Sequence, residues 1–586
     1  AGNGISTAGA VGLFASGSTL AANWVRTSAG NASYLGATVT VSNAALLGVS
    51  SVDLQVSGTV SLNKASVGGV VSSDRIDWTV ATDTTNTNNA LGLLTTLAIT
   101  SDQELHVVAS GSLNILGNLV AVLPTAGLTL DIATMDVVTG NANITTLGTI
   151  PGTIDGANVL SFSLTNASLF VGVGGALDGT RSGVVSTGAT GFLVSGASLS
   201  LDLVSKGTAS YLGATVTVSN AALLGVSSVD LQVSGTVSLN KASVNGAVSA
   251  NRIDWTVATN SANNPQTLLT ALAITSAQEL HVVGSASLNI LDMVVGRADI
   301  SFDTQTVNVD QNGNGVFSLV DKDLKDATLM TIGLSNLSAF VGVGGSLDSS
   351  RALVVTDAIG FSVTGGSLGL AIIKANAVSI PGDNRSYIAT TALIQQASFV
   401  GLPSDISIRA ADISVDINKA SGTVPLSAPA QLPAAIDWIR ALDLNGDGQF
   451  NDSIAVGGRT IALTTGFTGV SGKLGLSAFG VVQVFAAFDM SIRTVDLDLN
   501  GDGQINPVGG PFVDLHNAQM LTFDMQLLPL VYSPATAATY DALKPLSISG
   551  TPDLPGIFLH LQRRHGVRVH SENQILTTNY TEIDQN

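Results

Sequence analysis

The sequence predicts an all-β protein, an elongated array of about three tandem β-rich repeats of roughly 177 residues each. Three observations predict it. A long segment recurs letter for letter, apolar and polar residues alternate with a period of two, and the composition favours strands and turns. Gly contributes 63 of the 586 residues and only 11% are charged. The same pattern fits a β-solenoid-like coil or stacked long-stranded sheets and sandwiches, so parallel and antiparallel pairing both remain open.

The repeat is the strongest of these observations. Residues 32–67 recur without change at 209–244, 177 residues later, and the motif RIDW at 75–78 returns at 252–255. A third, diverged copy begins at Ser386, and FVGVGG marks unit junctions at Phe170 and Phe340. These positions predict four segments. They are a first repeat at 1–169, a second at 170–339, a third with acidic loops at 340–535, and a C-terminal docking tail at 536–586.

Alternation within a repeat predicts strands with one buried and one solvated face. Val52, Leu54 and Val56 alternate with Asp53 and Gln55. Small polar Ser and Thr residues occupy the outward positions, and glycine-containing breaks occur about every ten residues. Because enzymes seldom gain from a serial repeat, whereas rods and stalks gain length, the array favours a structural role.

Charge and composition exclude several classes of protein. The formal net charge is −19, which argues against nucleic acid as a partner because both surfaces would be negative. The absence of Cys excludes disulfides and thiolate chemistry. No run of about 18–20 apolar residues predicts a transmembrane helix. The opening AGNGIS lacks an initiating Met, which predicts a processed chain or a fragment.

Two loops of the pattern DxNxDGxxN carry the clearest chemical signal, and a third loop is related to them. Oxygen ligands at positions 1, 3 and 5, Gly at 6 and a backbone carbonyl at 7 are what Ca²⁺ takes from one short loop. The flanking segments predict strands, unlike the helical EF-hand. The predicted metal residues are Asp443, Asn445, Asp447, Gln449, Asn451 and Asp452; Asp498, Asn500, Asp502, Gln504 and Asn506; and Asp310, Asn312, Asn314, Val316 and Asp321.

Together, FVGVGGxLD, LQVSGTVSLNKAS and VDLDLNGDGQI resemble the repeat segments of giant bacterial surface and secreted proteins, the large adhesin-like chains that carry calcium-binding repeats. The resemblance covers nearly the whole chain up to about residue 535. It implies export to the bacterial cell surface or the extracellular space, a calcium-rich exterior, and a role in adhesion or filament formation. It implies no catalytic residue, and the nonapeptide of RTX proteins is missing.

Catalytic motifs are weak, so the sequence predicts a protein that is not an enzyme. GxSxG occurs once, at Gly365 to Gly369, but the equivalent stretch of the preceding repeat lacks it. His106 and His281 occupy the same position in successive repeats. This recurrence favours a structural role for each histidine, in a pair with a residue across the strands of its own repeat. The tail motif HLQRRHGVRVH, from His560 to His570, is the only basic cluster, and a solvated edge or docking seam is its simplest interpretation.

We therefore expect a calcium-stiffened structural or adhesive protein that forms part of a surface fibre, stalk or sheath. Its expected partners are other copies of itself or neighbouring repeats, with surface glycans as a further candidate. One alternative is a self-assembling filament or surface-layer subunit. A second is a carbohydrate-binding or carbohydrate-active β-solenoid module, although Trp and Tyr total only ten residues.

Overall fold

A computed structural model shows that the protein is all-β, as its sequence predicts. The described residues are 10–47, 51–85, 89–145, 147–377, 379–425, 431–444, 448–464, 466–479, 482–499, 501, 503–505, 514–527, 564–569 and 575–580. The chain divides into two compact units, residues 1–291 with 300–306 and residues 292–299 with 307–586. This division into two units differs from the three repeats that the sequence predicts, and the repeat arrangement stays a prediction.

The first unit consists of long strands joined by turns and two very short helices. Its elements are β1 (Gly12–Arg26), β2 (Ala32–Leu47), β3 (Val52–Val67), β4 (Val70–Ser72), α1 (Trp78–Ala81), β5 (Gln103–Ile115), β6 (Leu119–Val138), β7 (Thr153–Val173), β8 (Ala176–Leu177), β9 (Val184–Val185), β10 (Thr190–Lys206), β11 (Ala209–Leu224), β12 (Val229–Val244), β13 (Ala247–Val248), α2 (Trp255–Ala258) and β14 (Gln278–Ile290). The strand β15 (Val294–Val309) contains residues of both units.

The second unit is also built of long strands joined by turns and loops. Its elements are β16 (Leu324–Val343), β17 (Ser346–Leu347), β18 (Leu353–Val354), β19 (Ile359–Lys374), β20 (Ser386–Val400), β21 (Ile406–Ser421), β22 (Ile454–Val456), β23 (Arg459–Ile461), β24 (Phe467–Ala478), β25 (Val482–Leu497), β26 (Leu515–Leu527), β27 (Arg564–Val569) and β28 (Ile575–Tyr580). The GxSxG motif lies inside the paired strand β19.

Strand pairing within each unit is antiparallel, which answers the question that the sequence leaves open. In the first unit, β1, β2, β3, β5, β6, β7, β10, β11, β12 and β14 pair in that order. In the second, β16, β19, β20, β21, β24, β25 and β26 pair in that order. None of the helices in the described residues combines the length and apolar character that crossing a bilayer requires.

The verbatim repeat folds twice in the same way. Segment 32–67 forms the β2–β3 pair and segment 209–244 forms the β11–β12 pair, with Ala32 opposite Val67 and Ala209 opposite Val244. Both pairs break register at the same point, after Val41 in one and after Val218 in the other. Because identical sequences reproduce the same bulge, local sequence fixes the register here.

A tryptophan held by an asparagine anchors each copy of the IDW motif. The indole Nε1 of each Trp donates a hydrogen bond of 3.0 Å to an Asn Oδ1, in the pairs Trp78–Asn63, Trp255–Asn240 and Trp438–Asn418. All three indoles are fully buried. A Cβ at Gly36 or Gly213 would come within 2.5 Å of the facing indole, so these two positions require Gly. Buried polar atoms need partners, and the Asn supplies one for each indole.

The aspartate of the IDW motif has a structural role. Asp77 is the N-cap of α1 and accepts hydrogen bonds from the backbone N–H groups of Thr79 and Val80, and Asp254 does the same for α2. An Asp at the N-cap satisfies N–H groups that a helix leaves unpaired. Its recurrence is therefore explained by capping.

The two faces of the first unit's sheet differ in chemistry. One row of directly opposed apolar residues crosses all ten long strands, and no member is buried: Leu20, Val39, Val60, Val107, Leu130, Phe162, Leu201, Ala214, Leu239 and Leu280. We call these ten residues the apolar row. The other face carries cross-strand hydroxyl pairs, including Thr38–Ser61, Thr129–Ser163 and Thr215–Ser238. The strands therefore alternate as predicted, but the prediction that Ser and Thr point outward is wrong here: Ser61 and Ser238 are buried, whereas Val39 and Val60 are exposed.

Asp202 is a buried carboxyl of the first unit. It is fully buried and accepts hydrogen bonds from Thr270 N and Oγ1 at 3.0 Å each. Burial raises the pKa of Asp202 to about 6, although the bonds to Thr270 and Ser161 lower it. At the matching place in β1, Asn23 Oδ1 accepts a hydrogen bond from Thr95 N at 3.0 Å, and Asn23 Nδ2 donates one to the carbonyl of Thr95 at 2.7 Å. A carboxyl whose folded pKa is raised contributes stability at low pH that is lost as the pH rises through that pKa.

We expect the substitution Asp202→Asn to stabilise the first unit by roughly 2–3 kcal/mol above pH 7, since each unit of pKa difference is about 1.4 kcal/mol. The gain should shrink toward zero below about pH 3, where the carboxyl is mostly protonated in both states. Urea unfolding of both proteins between about pH 3 and 8 measures this difference. A gain in stability that does not change with pH would contradict ionisation of the buried Asp202 as its cause.

Candidate functional site

Two of the three acidic loops follow the ends of strands, as the sequence predicts. The loop that begins at Asp443 instead follows a turn and the isolated bridge residue Leu442, so the strand predicted before it is not found there. The Asp310 loop (residues 310–323) joins β15 to β16, the Asp443 loop (443–452) precedes β22, and the Asp498 loop (498–514) joins β25 to β26. Of the predicted metal residues, Asn445, Asp447, Asn500, Asp502 and Asn506 lie outside the described residues. The geometry below concerns the remaining ones.

The first acid of every loop binds the backbone of the glycine at position 6. Gly315 N donates to Asp310 Oδ2 at 2.6 Å, Gly448 N to Asp443 Oδ2 at 3.0 Å, and Gly503 N to Asp498 Oδ2 at 2.7 Å. These glycines have φ of +83°, +82° and +81°. A side chain at this φ is strained, so Gly is needed to fold the loop back over its first acid.

A second acid closes each loop by accepting the backbone N–H of position 2. Gln311 N donates to Asp323 Oδ1 at 2.8 Å, Leu444 N to Asp452 Oδ2 at 2.6 Å, and Leu499 N to Asp514 Oδ1 at 2.9 Å. Asp323 and Asp514 are buried. Sequence reasoning identified Asp452 but missed Asp323 and Asp514. The three closing acids lie 13, 9 and 16 residues after the first acid, so no fixed spacing reveals them.

The other predicted ligands of the Asp310 loop lie along its exposed side. Asn312 Oδ1 accepts a hydrogen bond from Asn314 N, and Asn314 Oδ1 accepts one from Val316 N. Asp321 is exposed, with Oδ2 at 3.3 Å from Asn314 Nδ2. In the other two loops, Gln449, Asn451 and Gln504 are also exposed. These residues are therefore accessible to solvent, from which an ion could enter.

The donor set is composed of oxygen atoms, which suits a hard cation. Each loop supplies a first acid and a closing acid, and an ionised carboxylate offers about four lone-pair positions to donors and cations. Burial raises the pKa of Asp323, and the charges of Asp310 and Asp321 raise it further. A divalent cation would relieve that repulsion. Within the described ranges, no group of three or more His, Asp or Glu residues is arranged to hold a metal ion.

A buried ion pair fixes the base of the Asp310 loop. Arg385 Nη2 lies 2.7 Å from Asp383 Oδ2, and both side chains are fully buried. Arg385 Nη1 also donates to Gln311 Oε1 at 2.7 Å and to the carbonyl of Lys322 at 2.6 Å. One guanidinium therefore holds both ends of the loop, next to the first acid and next to the closing acid.

The repeated histidines form cross-strand pairs with aspartates. His106 Nδ1 lies 2.6 Å from Asp131 Oδ1, and His281 pairs with Asp303 in the same way. The hydrogen bond to Asp131 raises the pKa of His106, against the lowering effect of burial. Glu104, two residues before His106, pairs with Lys64 instead. The partner of each His is thus an Asp on the next strand, as expected for a structural pair.

Comparison with known proteins adds little. No protein-family model matches the chain, and no curated protein matches it. Among solved structures, the crystal structure of Acinetobacter baumannii OccAB3 is aligned over 71% of this chain and 94% of that chain, with 9% identity and a TM-score of 0.15. A score this low carries no argument about fold or function.

Proposed function

We propose that the protein is a non-enzymatic structural or adhesive protein of the bacterial cell exterior, stiffened by Ca²⁺ and forming part of a surface fibre, stalk or sheath. The observation that carries this proposal is the geometry that the three loops share. Each has a first acid bound by the glycine at position 6 and a second acid that closes on position 2. The common oxygen chemistry supports Ca²⁺ as the ion.

The proposed ions act by ordering the connections between strands. In the Asp310 loop the charges of Asp310 and Asp321 act on Asp323, and such repulsion opposes the folded loop until a cation neutralises it. Three Ca²⁺ ions would take the formal charge from −19 to about −13. Because an ion that binds the folded loop and not the unfolded chain stabilises the fold, calcium concentration sets the stiffness of the connections.

Thermal melting and limited proteolysis in excess Ca²⁺ and in EGTA test this proposal. Each site should stabilise the fold by about 2.7 kcal/mol when free Ca²⁺ is 100 times the Kd. We expect a higher Tm and protected loops in Ca²⁺, and loss of both in EGTA. Mg²⁺ should substitute poorly because it demands octahedral geometry and keeps its water. Identical melts and identical cleavage in Ca²⁺ and EGTA would contradict a stiffening role.

A second candidate function is self-assembly into a filament or surface layer, which the apolar row favours. Leu20 is 70% exposed, Val39 37% and Val60 41%. Contiguous exposed apolar surface of this kind marks an interaction site, and another copy of the chain is the proposed occupant. Substituting Val39 and Val60 by Thr should lower the assembled fraction in analytical ultracentrifugation. A wild-type chain that stays monomeric without detergent would exclude this candidate.

A further inference from the structure

The Asp310 and Asp443 loops are joined at their first positions. Val309 and Leu442, the residues directly before the two first acids, form an antiparallel bridge, and Asp310 N donates to the carbonyl of Ala441 at 3.0 Å. Val309 and Leu442 are fully buried in one hydrophobic cluster. Asp310 and Asp443 therefore directly follow one buried, bridged pair of residues, which fixes the starts of the two loops relative to each other.

The same loops also meet at position 8. Phe317 is the eighth residue of the Asp310 loop and Phe450 is the eighth residue of the Asp443 loop. Their rings stack with centroids 6.3 Å apart and an interplanar angle of 14°. Phe450 is 9% exposed. Position 8 follows the predicted ligand at position 7, so this contact lies beside the predicted coordination shell of each loop.

We propose that these two loops form one paired calcium module, in which occupation of one loop raises the affinity of the other. This inference rests on the proposed function, because it requires that both loops bind Ca²⁺. The ring stack requires one Phe from each loop, so it links the conformation of one loop to that of the other. An ion that orders one loop therefore holds the Phe of that loop where it stacks on the Phe of the other loop. Ordering the other loop then costs less conformational entropy, so the second ion binds more tightly.

The size of the coupling follows from the contact that transmits it. An aromatic pair contributes an amount equivalent to roughly a 2- to 10-fold change in affinity. By linkage the effect is reciprocal, so each ion raises the affinity for the other by the same factor. The Asp498 loop takes part in neither the bridge nor the ring stack, and Ile505 is its eighth residue.

Calcium titration of the full chain, followed by calorimetry, tests the pairing through three single variants. We expect the wild type to bind two ions cooperatively and a third independently. Phe317→Ala should abolish the cooperativity and weaken the second ion by roughly 2- to 10-fold. Phe450→Leu, which keeps the buried volume, should reduce cooperativity without unfolding. Ile505→Ala is the matched control and should leave the cooperative pair unchanged.

The possible results separate the pairing from the proposed function. If the wild type binds no Ca²⁺, the proposed function fails and the pairing fails with it. If it binds Ca²⁺ at independent sites, and Phe317→Ala changes neither affinity nor cooperativity, the pairing is wrong while calcium binding stands. Equal loss of cooperativity in Ile505→Ala would also overturn the pairing. In a double variant of Phe317 and Phe450, a coupling loss no larger than in either single variant supports it.

Discussion

Replacing Trp255 by Ala is expected to destabilise the first unit by about 3–5 kcal/mol, the usual cost of removing a large buried aromatic side chain. Trp255 is fully buried and packs in a cluster with Ile253 and Ile274. The substitution also leaves Asn240 Oδ1 without its 3.0 Å donor. Urea unfolding should therefore show a large fall in the midpoint.

Two further variants show how much of the lost stability comes from the indole hydrogen bond and how much from burial of the ring. Trp255→Phe keeps most of the packing but removes the N–H, so it should cost about 1–3 kcal/mol. Trp24 is 70% exposed, so Trp24→Ala should change stability by no more than about 0.5 kcal/mol. If Trp24→Ala and Trp255→Ala cost the same, the anchoring role of the IDW motif would be wrong.

Replacing Arg385 by Met is expected to destabilise the second unit by about 3–5 kcal/mol, because it leaves the buried charge of Asp383 without its partner. It also removes the donor that holds Gln311 and the carbonyl of Lys322. We therefore expect the calcium affinity of the Asp310 loop to fall together with stability. Denaturant unfolding and calcium titration of the same sample measure the two effects.

An exposed ion pair in the same unit supplies the control. Lys473 and Asp412 lie 2.7 Å apart with side chains 24% and 47% exposed, so Lys473→Met should cost no more than about 1 kcal/mol. Combining Arg385→Met with Asp383→Leu should recover part of the lost stability, since no unpaired charge remains buried. Failure of that recovery would show that the ion pair is not the source of the effect.

Much of the fold can be predicted from sequence because the signals are local. Period-two alternation predicts the strands, and the verbatim copy predicts two equal strand pairs with equal register. The recurrence of Asp77 and Asp254 also has a local cause, since each caps a short helix. Pairing direction is not local. The same alternation suits parallel and antiparallel neighbours, so only the structure identifies the pairing as antiparallel.

The loop sites show the same division between local and distant information. The first acids and the glycines at position 6 follow a fixed spacing, so the sequence reveals them. Asp323 and Asp514 close their loops from variable distances, and Arg385 reaches the Asp310 loop from another part of the chain. The contact between Phe317 and Phe450 joins segments that are distant in sequence, and no single-chain pattern marks it.

Calorimetric titration of the intact chain with Ca²⁺ tests the central claim most directly, because it counts ions and needs no assumption about stability. The proposed function predicts three ions per chain. The triple substitution Asp310→Ala, Asp443→Ala and Asp498→Ala should abolish this binding. A wild-type chain that takes up no Ca²⁺, or a triple variant that binds as the wild type does, would contradict calcium as the ion of these loops.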